Sequence, residues 1–205
     1  MRVLVACEFS GVVREAFNAR AGVYAMSCDL LPPEDGRVDY HHQGDVLDIL
    51  GDGWDLMIAH PDCTYLCSSG LHWNGRVPGR AAQTLEALEF VRMLMSAPIP
   101  RIAIENPIGR INTAIRAPDQ YIQPYEYGHD ASKRTGLWLK NLQPLKPTKR
   151  IAGRIVMHNG KQVERWANQT DSGQNRLGPS PDRWKERART YPGWADAMAA
   201  QWGAP

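Results

Sequence analysis

The feature that most constrains the fold of this chain is an apolar run that ends abruptly in a short loop containing a cysteine. Residues 54–70 read Trp-Asp-Leu-Met-Ile-Ala-His-Pro-Asp-Cys-Thr-Tyr-Leu-Cys-Ser-Ser-Gly. The run over 55–59 predicts a buried strand, and Cys63 follows on the loop just past its end. Open α/β folds bind ligands at the carboxyl ends of their strands, so a thiol there is a candidate nucleophile.

A second predicted strand ends at a carboxylate. Residues 101–104 are Arg-Ile-Ala-Ile, and Glu105 and Asn106 follow directly. A thiol and a carboxyl group at two strand tips are typical of covalent catalysis with an acid partner. An acid that donates a proton at neutral pH needs a raised pKa. We expect burial beside the apolar strand to raise the pKa of Glu105.

The periodicity of the remaining sequence predicts that strands alternate with helices. Strands are expected over 3–7, 23–28, 55–59, 101–104 and 136–139, helices over 12–20, 80–96 and 193–202, and a short helical stretch over 46–50. This alternation predicts one α/β domain with a mostly parallel sheet flanked by helices. His41 and His42 fall in a predicted polar loop, and prolines after residue 140 predict extended loops there.

The charge distribution divides the chain. Residues 131–190 contain 14 Lys or Arg and 4 Asp or Glu, a net charge of +10. The rest of the chain contains 10 Lys or Arg and 18 Asp or Glu, a net charge of −8. Trp138, Trp166, Trp184 and Tyr191 lie in or beside the basic part. Cations interleaved with aromatic rings are typical of nucleic-acid surfaces, and a solvated face with scattered charges is the alternative.

The sequence also bears on the compartment. We find no apolar run long enough to span a bilayer, and the chain enters its first predicted strand without the layout of a signal peptide. All four cysteines lie in the first third of the chain, unlike the distributed pattern of a disulfide scaffold. We therefore expect a cytoplasmic protein with free thiols.

The loop after the first predicted strand contains small residues. In Glu8-Phe-Ser-Gly11 a tight turn leads into a helix, where a ligand can approach the backbone, although an ordinary turn is the alternative. Asp29, at the end of the second strand, suits the hydroxyls of a ribose. Asp45 suits an adenine amine or, alternatively, the N-cap of the helical stretch over 46–50.

Together these segments resemble the cytosine-5 DNA methyltransferase family. The resemblance rests on the Phe9–Gly11 loop, Asp29, Asp45, the segment 55–70, Glu105-Asn106, a diverged basic strand over 128–139, and the ending over 180–202. The ending is similar to that of short phage and prophage proteins described as DNA methyltransferases. The resemblance to these short proteins extends over nearly the whole chain. The match to larger members is specific for residues 1–110.

The resemblance implies a Rossmann-like methyltransferase core that uses S-adenosylmethionine. Residues 1–110 would form the cofactor-binding and catalytic core, 111–190 a reduced basic region facing the substrate, and 191–205 a C-terminal helix packed on the core. The implied reaction is methylation of cytosine C5 in DNA, with the base flipped out of the duplex. Only 111–180 is left for target recognition, so we expect low sequence specificity.

The resemblance also assigns roles to residues. Cys63 would attack C6 of the base, Glu105 would hold and protonate N3, and Asn106 would shape the Glu105 loop. The cofactor site would comprise Glu8, Phe9, Ser10, Gly11, Asp29, Leu30, Asp45, Val46, His60 and Pro61. Phosphates of DNA would be bound by Lys133, Arg134, Arg183 and Lys185.

One position departs from the family in a way that matters chemically. Asp62 stands where a second proline usually precedes the cysteine. A carboxylate beside a thiol raises the pKa of the thiol and lowers its thiolate fraction. We also expect the loop to be looser than one with two prolines, and activity to be weakened or lost if this residue is not a neutral variation.

Three alternatives remain open from the sequence. His60, Cys63, Cys67 and His72 have short spacings that could form a zinc site, although they match no standard zinc motif, and we favour the covalent role for Cys63. Cys67 is otherwise interpreted as a packed residue, as are Cys7 and Cys28. The same fold could modify a free nucleotide or another base. It could also bind DNA or nucleotide without catalysis, which Asp62 favours.

Overall fold

The chain is built around a central seven-stranded sheet. The computed structural model describes residues 1–204. Its sheet comprises β1 (Arg2–Ala6), β2 (Tyr24–Asp29), β3 (His41–Gln43), β4 (Leu56–Ala59), β5 (Arg101–Pro107), β6 (Gln120–Ile122) and β7 (Thr135–Lys140). The strand order is β3-β2-β1-β4-β5-β7-β6. The first five strands are parallel, and β7 is antiparallel to both β5 and β6.

This topology confirms the predicted Rossmann-like α/β fold with a mostly parallel sheet. The chain moves outward from β1 to β3, returns to the other side of β1 at β4, and continues outward. The order therefore reverses between β1 and β4. Ligands bind in the crevice outside the carboxyl ends of the strands at such a point, which is where the loops after β1 and β4 lie.

Helices cover both faces of the sheet because alternate residues of the buried strands are apolar on both sides. On one face, α1 (Val12–Asn18) and α6 (Pro192–Trp202) bury Phe17, Trp194 and Met198 against Val3 and Val5 of β1. On the other face, α3 (Arg80–Met95) packs against β4 and β5 with the buried residues Leu88, Val91 and Leu94. Leu85, one turn before Leu88 on the same helix, is 66% exposed.

The predicted elements are confirmed to within one or two residues in most cases. Exceptions have local causes. Residues 41–43 form β3 instead of a polar loop, because buried His41 has both ring nitrogens paired, Nδ1 with Ser27 Oγ (2.8 Å) and Nε2 with the Leu31 carbonyl (2.9 Å). The stretch over 46–50 forms a 3-10 helix over Val46–Ile49.

The expectation of extended loops after residue 140 was wrong in two places. Strands β8 (Arg154–His158) and β9 (Lys161–Arg165) form an antiparallel hairpin. Its two-residue turn is Asn159-Gly160, with φ of 49° and 74°, the left-handed conformation that such tight turns require. Residues Arg183–Ala188 form the short helix α5. Two further short helices are α2 (Ser68–Leu71) and α4 (Arg110–Ala114).

Candidate active site

A cavity of about 710 Å³ opens at the carboxyl ends of β1, β2, β4 and β5. It brings together most of the residues that the sequence singled out, namely Glu8, Phe9, Ser10, Asp29, His60, Pro61, Cys63, Glu105, Asn106, Lys133 and Arg183. The volume lies in the range of ordinary small-molecule sites. Six other predicted site residues do not line it: Gly11, Leu30, Asp45, Val46, Arg134 and Lys185.

The loop after β1 is held by a buried carboxylate. Glu8 is 4% exposed, and its two oxygens accept hydrogen bonds from the backbone N–H groups of Val13 (2.7 Å) and Arg14 (3.2 Å) at the start of α1. Burial raises the pKa of Glu8 in spite of these bonds. Glu8 thus stabilises the end of the helix while it also lines the cavity.

Gly11 gives this turn its shape. Its φ is +73°, and a Cβ there would lie 2.4 Å from Arg14 Nη2 and 2.7 Å from Asp35 Oδ2. The residue is therefore needed for the turn and for the buried Arg14–Asp35 ion pair beneath it. Its side of the loop faces that ion pair, which explains why Gly11 is not in the cavity wall.

The two acidic residues predicted for the cofactor have different positions. Asp29 lines the cavity at the end of β2, accepts a hydrogen bond from the Leu31 N–H (2.9 Å), and has a pKa raised by burial. Asp45 caps the 3-10 helix by accepting a bond from the Leu47 N–H (2.9 Å), so its alternative role as an N-cap is the one observed. Val46 packs in the core, and Leu30 is 74% exposed.

The Cys63 loop is tied down by hydrogen bonds rather than by prolines. Asp62 Oδ1 accepts bonds from the N–H (3.0 Å) and hydroxyl (2.8 Å) of Thr64. The Cys63 carbonyl accepts bonds from the N–H groups of Leu66 and Cys67. The side chain of Asp62 thus closes the turn that contains the cysteine, a contact that the expectation of a looser loop did not include.

Asn106 joins the two strand tips. Its Nδ2 donates a 2.7 Å hydrogen bond to the Pro61 carbonyl, so the loop after β4 is attached to the end of β5. Asn106 is 1% exposed, which makes this contact a buried one. The thiol and the carboxyl group therefore have a fixed relation to each other.

Two thiols lie side by side in the site. Cys67, expected to be a packed residue, lines the cavity beside Cys63, and its Sγ lies 3.2 Å from the Ser69 hydroxyl. The contact with Cys67, burial and the nearby Asp62 carboxylate raise the pKa of Cys63. The contact with Cys63 lowers the pKa of Cys67. Cys7 also lines the cavity, with its pKa raised mainly by burial, whereas Cys28 packs in the core.

Glu105 is buried, as expected, but the sign of its pKa shift is the opposite of the prediction. It is 6% exposed, and Oε2 lies 2.9 Å from Nδ1 of His60, which is itself largely buried. Burial acts to raise the pKa of Glu105, but the Lys133 ammonium and the His60 contact together outweigh it, and the pKa is lowered. The lowered pKa favours the ionised form of the carboxyl group, in which both oxygens accept hydrogen bonds.

Three buried polar atoms at this end of the cavity have no hydrogen-bond partner within residues 1–204: Glu105 Oε1, His60 Nε2 and Asn106 Oδ1. Buried polar atoms in folded proteins are nearly always paired, so a group of three calls for an explanation. Their clustering beside Cys63 fits a site that pairs them with a polar ligand.

Lys133 reaches the site because of the sheet register. Strand β7 runs antiparallel to β5, with Glu105 opposite Leu137 and Asn106 opposite Gly136, so the residues just before β7 lie beside the tip of β5. Lys133 Nζ donates to the Arg187 carbonyl (3.0 Å). Arg134 points elsewhere, with its guanidinium 4.0 Å from the centre of the Tyr121 ring.

Residues 180–190 form a basic cover over the cavity. Arg183 and Arg187, four residues apart on α5, line it together with Arg189 and Trp184. Trp184 lies 5.9 Å from Phe9 between ring centres, and Arg189 pairs with Glu34. Arg187 and Arg189 were missed from the sequence, although the four-residue spacing of Arg183 and Arg187 was a usable signal. Lys185 lies over Trp184, outside the cavity wall.

The zinc alternative has no geometric support. Within residues 1–204 no group of three or more His, Cys, Asp or Glu side chains is arranged to hold a metal ion. Over the same range, we find no helix with the length and apolar character needed to cross a membrane.

Comparisons with known proteins were made at three levels. No protein-family model matches the chain, and no curated protein sequence does. Many solved structures are similar to it in part, among them the three that follow. An Escherichia coli prophage protein described as a DNA modification methyltransferase is 18% identical, with 68% of this chain and 46% of that one covered and a TM-score of 0.44.

The other two are eukaryotic. The Dnmt2 methyltransferase of S. pombe is 16% identical, with 70% of this chain and 52% of that one covered and a TM-score of 0.45. The Entamoeba histolytica methyltransferase EhMeth is 15% identical, with 74% and 58% covered and a TM-score of 0.49. This chain thus spans about half the length of the solved structures it matches.

Proposed function

We propose that the cavity binds S-adenosylmethionine together with a cytosine and that the protein methylates C5 of cytosine in DNA. The observation that carries this proposal is the convergence, in one cavity, of Cys63, the buried carboxylate of Glu105 and the linking amide of Asn106. These are the residues that the resemblance assigns to the reaction. Their unpaired polar atoms Glu105 Oε1 and Asn106 Oδ1 suit the polar edge of a base.

The residues around the tips of β1 and β2 fit the cofactor. Asp29 is an acidic group where ribose hydroxyls bind in Rossmann-like folds, and Phe9 and Pro61 supply apolar surface beside it. Asp45 is outside the cavity, so we assign it no contact with the cofactor. When bound, S-adenosylmethionine would supply an electrophilic methyl group.

The side chains then divide the chemistry. Cys63 forms a bond to C6 of the ring as a thiolate, after its thiol proton has passed to solvent in the open cavity. Glu105 holds the ring nitrogen N3, where protonation makes C6 more electrophilic. Asn106 fixes the loop of Cys63 through the Pro61 carbonyl. Lys133 and the arginines of 180–190 place positive charge at the mouth, where phosphate groups would lie.

A second candidate substrate is a free nucleotide. The basic segment over 180–190 covers the cavity, and it would bind a single phosphate without a duplex. Turnover of a mononucleotide would show little dependence on salt, because few phosphates are contacted, whereas binding to duplex DNA would weaken steeply as salt rises.

The test is methyl transfer from radiolabelled S-adenosylmethionine to duplex DNA, single-stranded DNA and deoxycytidine monophosphate. Wild type, Cys63→Ser and Asp62→Pro are compared, with Cys28→Ala as a matched control because Cys28 is packed in the core. We expect transfer to DNA that is lost in Cys63→Ser and kept in Cys28→Ala. Methyl transfer by Asp62→Pro alone would show that Asp62 inhibits the reaction. No methyl transfer by any of the proteins to any substrate would overturn the proposal.

A further inference from the structure

The contact between His60 and Glu105 goes beyond the roles assigned so far. His60 Nδ1 and Glu105 Oε2 are 2.9 Å apart, and the two side chains are 9% and 7% exposed. His60 follows β4 and Glu105 belongs to β5, which are adjacent strands, so the contact spans the two tips that carry the proposed chemistry. An imidazole and a carboxyl group in a buried hydrogen bond titrate as one unit.

We propose that His60 is the proton-holding partner of Glu105, and that the two side chains share one proton and together contact the edge of the nucleobase. The inference rests on the function proposed above and assigns His60 a role at the edge of the base, distinct from the cofactor contact that the sequence suggested. It follows from the contact itself and from the two atoms left over, Glu105 Oε1 and His60 Nε2, both buried and unpaired within residues 1–204.

The shared proton gives these two atoms opposite characters. With the proton on imidazole, Glu105 Oε1 is an acceptor and His60 Nε2–H is a donor. With the proton on Glu105 Oε1, that oxygen is a donor and His60 Nε2 is an acceptor, while His60 Nδ1–H still bonds Oε2. While it holds that proton, the pair offers one donor and one acceptor, which suits a base edge that has a ring nitrogen beside an exocyclic amine or oxygen.

The proton balance of the proposed step is simple. As the Cys63 sulfur bonds to C6, the O–H bond at Glu105 Oε1 breaks and an N–H bond forms at N3 of the ring. The pair is then one proton short, as a carboxylate beside a neutral imidazole. The proton returns from N3 to Oε1 when the thiol leaves the ring, so no additional acid is consumed.

The surroundings explain why a partner is needed. Glu8 and Asp29 line the cavity at the ends of β1 and β2, Asp62 and Cys63 in the loop after β4, Lys133 just before β7, and the arginines of 180–190 on α5 and directly after it. Lys133 opposes protonation of Glu105, so at neutral pH the carboxyl group alone would be ionised. His60, whose Nδ1 lies 2.9 Å from Glu105 Oε2, is the basic group in direct contact on which the shared proton can reside.

The first test is the pH profile of single-turnover methyl transfer for wild type, His60→Gln and the control His158→Gln, which lies on β8 outside the cavity wall. Glutamine can still donate to Glu105 Oε2 but cannot exchange a proton. We expect a loss of about tenfold or more at pH 7.5 that shrinks to about threefold or less at pH 5.5, where Glu105 takes its proton from water. A loss by the same factor at every pH, or no loss, would overturn the inference.

A second test does not depend on methyl transfer and separates this inference from the function. In ¹⁵N spectra of histidine-labelled protein, the ring signal that disappears in His60→Gln belongs to His60. We expect its Nδ1 signal to report a bound proton in wild type and to shift in Glu105→Gln, whether or not the protein methylates DNA. A His60 signal that is unchanged in Glu105→Gln would overturn the shared proton even if methyl transfer is observed.

Discussion

Glu8 was predicted to bind the cofactor, but the structure makes it first of all the cap of α1, and the two roles give different results on substitution. Glu8→Ala removes two charge-assisted hydrogen bonds, at 2.7 and 3.2 Å, and leaves two buried N–H groups unpaired. Each such bond contributes about 1.5 kcal/mol, so the gross loss is about 3 kcal/mol. Because burial raises the pKa of Glu8 in spite of these bonds, the charge itself adds no net stability, and we take the lower value of about 1 kcal/mol for each bond.

We therefore expect Glu8→Ala to lower the free energy of unfolding by about 2 kcal/mol and the melting temperature by about 4–8 °C for a chain of this length. Glu8→Gln keeps an acceptor for the Val13 N–H and should lose less than half as much. Because folding raises the pKa of Glu8, this residue stabilises the folded protein most below the pKa of the unfolded carboxyl, and the stabilisation decreases as pH rises through the pKa of the folded state. The difference in stability between wild type and Glu8→Gln should therefore shrink toward neutral pH.

The measurement is urea unfolding monitored by circular dichroism at several pH values without cofactor. A loss below about 0.5 kcal/mol for Glu8→Ala would refute the assignment of Glu8 as a helix cap, since surface substitutions commonly have effects of that size. A stable Glu8→Ala that fails only to bind S-adenosylmethionine would restore the role predicted from the sequence.

Four further predictions concern single residues. Asp62→Asn keeps the turn to Thr64 but removes the charge, so alkylation of Cys63 by iodoacetamide at pH 8 should accelerate about threefold; an unchanged rate would show that the carboxylate is fully screened. Cys67→Ser removes the main cause of the raised pKa of Cys63, and the pH midpoint for alkylation of Cys63 should move to lower pH, while a higher midpoint would contradict the thiol pair. Lys133→Met removes a charge that lowers the pKa of Glu105, so that pKa should rise. Because the ionised carboxylate stabilises the fold above the pKa of the unfolded carboxyl, the free energy of unfolding should fall less steeply in the variant than in wild type as pH drops through the acid range. Equal slopes of stability against pH in the two proteins would exclude the Lys133 contact. Arg14→Met leaves Asp35 without its buried partner, and we expect the free energy of unfolding in urea to fall by about 3 kcal/mol. An unchanged free energy of unfolding would contradict this role of the ion pair.

The fold was predictable to the extent that it depends on local periodicity. Buried parallel strands such as β1 and β4 are short apolar runs, and α3 has apolar residues at helical spacing, so both are visible in the sequence. Strand β3 was hidden because its histidine is buried through tertiary hydrogen bonds to Ser27 and Leu31, which no local pattern reveals. The β8–β9 hairpin was missed although its Asn159-Gly160 turn is a strong local signal.

The site was predictable where strand tips carry reactive groups, because parallel strands end at the same edge of the sheet. Cys63, Glu105, Asn106 and Asp29 were singled out in this way, and the structure brings all four into the wall of one cavity, while their roles stay predictions. The electrostatics were not predictable, since the pKa of Glu105 depends on Lys133, which is 28 positions away in sequence and reaches the site through the pairing of β5 with β7. The cover over 180–190 was found only in part, because a short exposed helix has no apolar face to indicate it.

The most direct test of the central claim is a covalent trap at Cys63. In DNA containing 5-fluorocytosine, fluorine replaces the C5 proton whose loss would release the thiol, so a productive reaction should leave the protein attached to the DNA. The account predicts a denaturation-resistant adduct that forms only with S-adenosylmethionine, maps to the peptide containing Cys63, forms in Cys28→Ala and is absent in Cys63→Ser. An adduct that persists in Cys63→Ser, or methyl transfer to ordinary DNA by that variant, would contradict it.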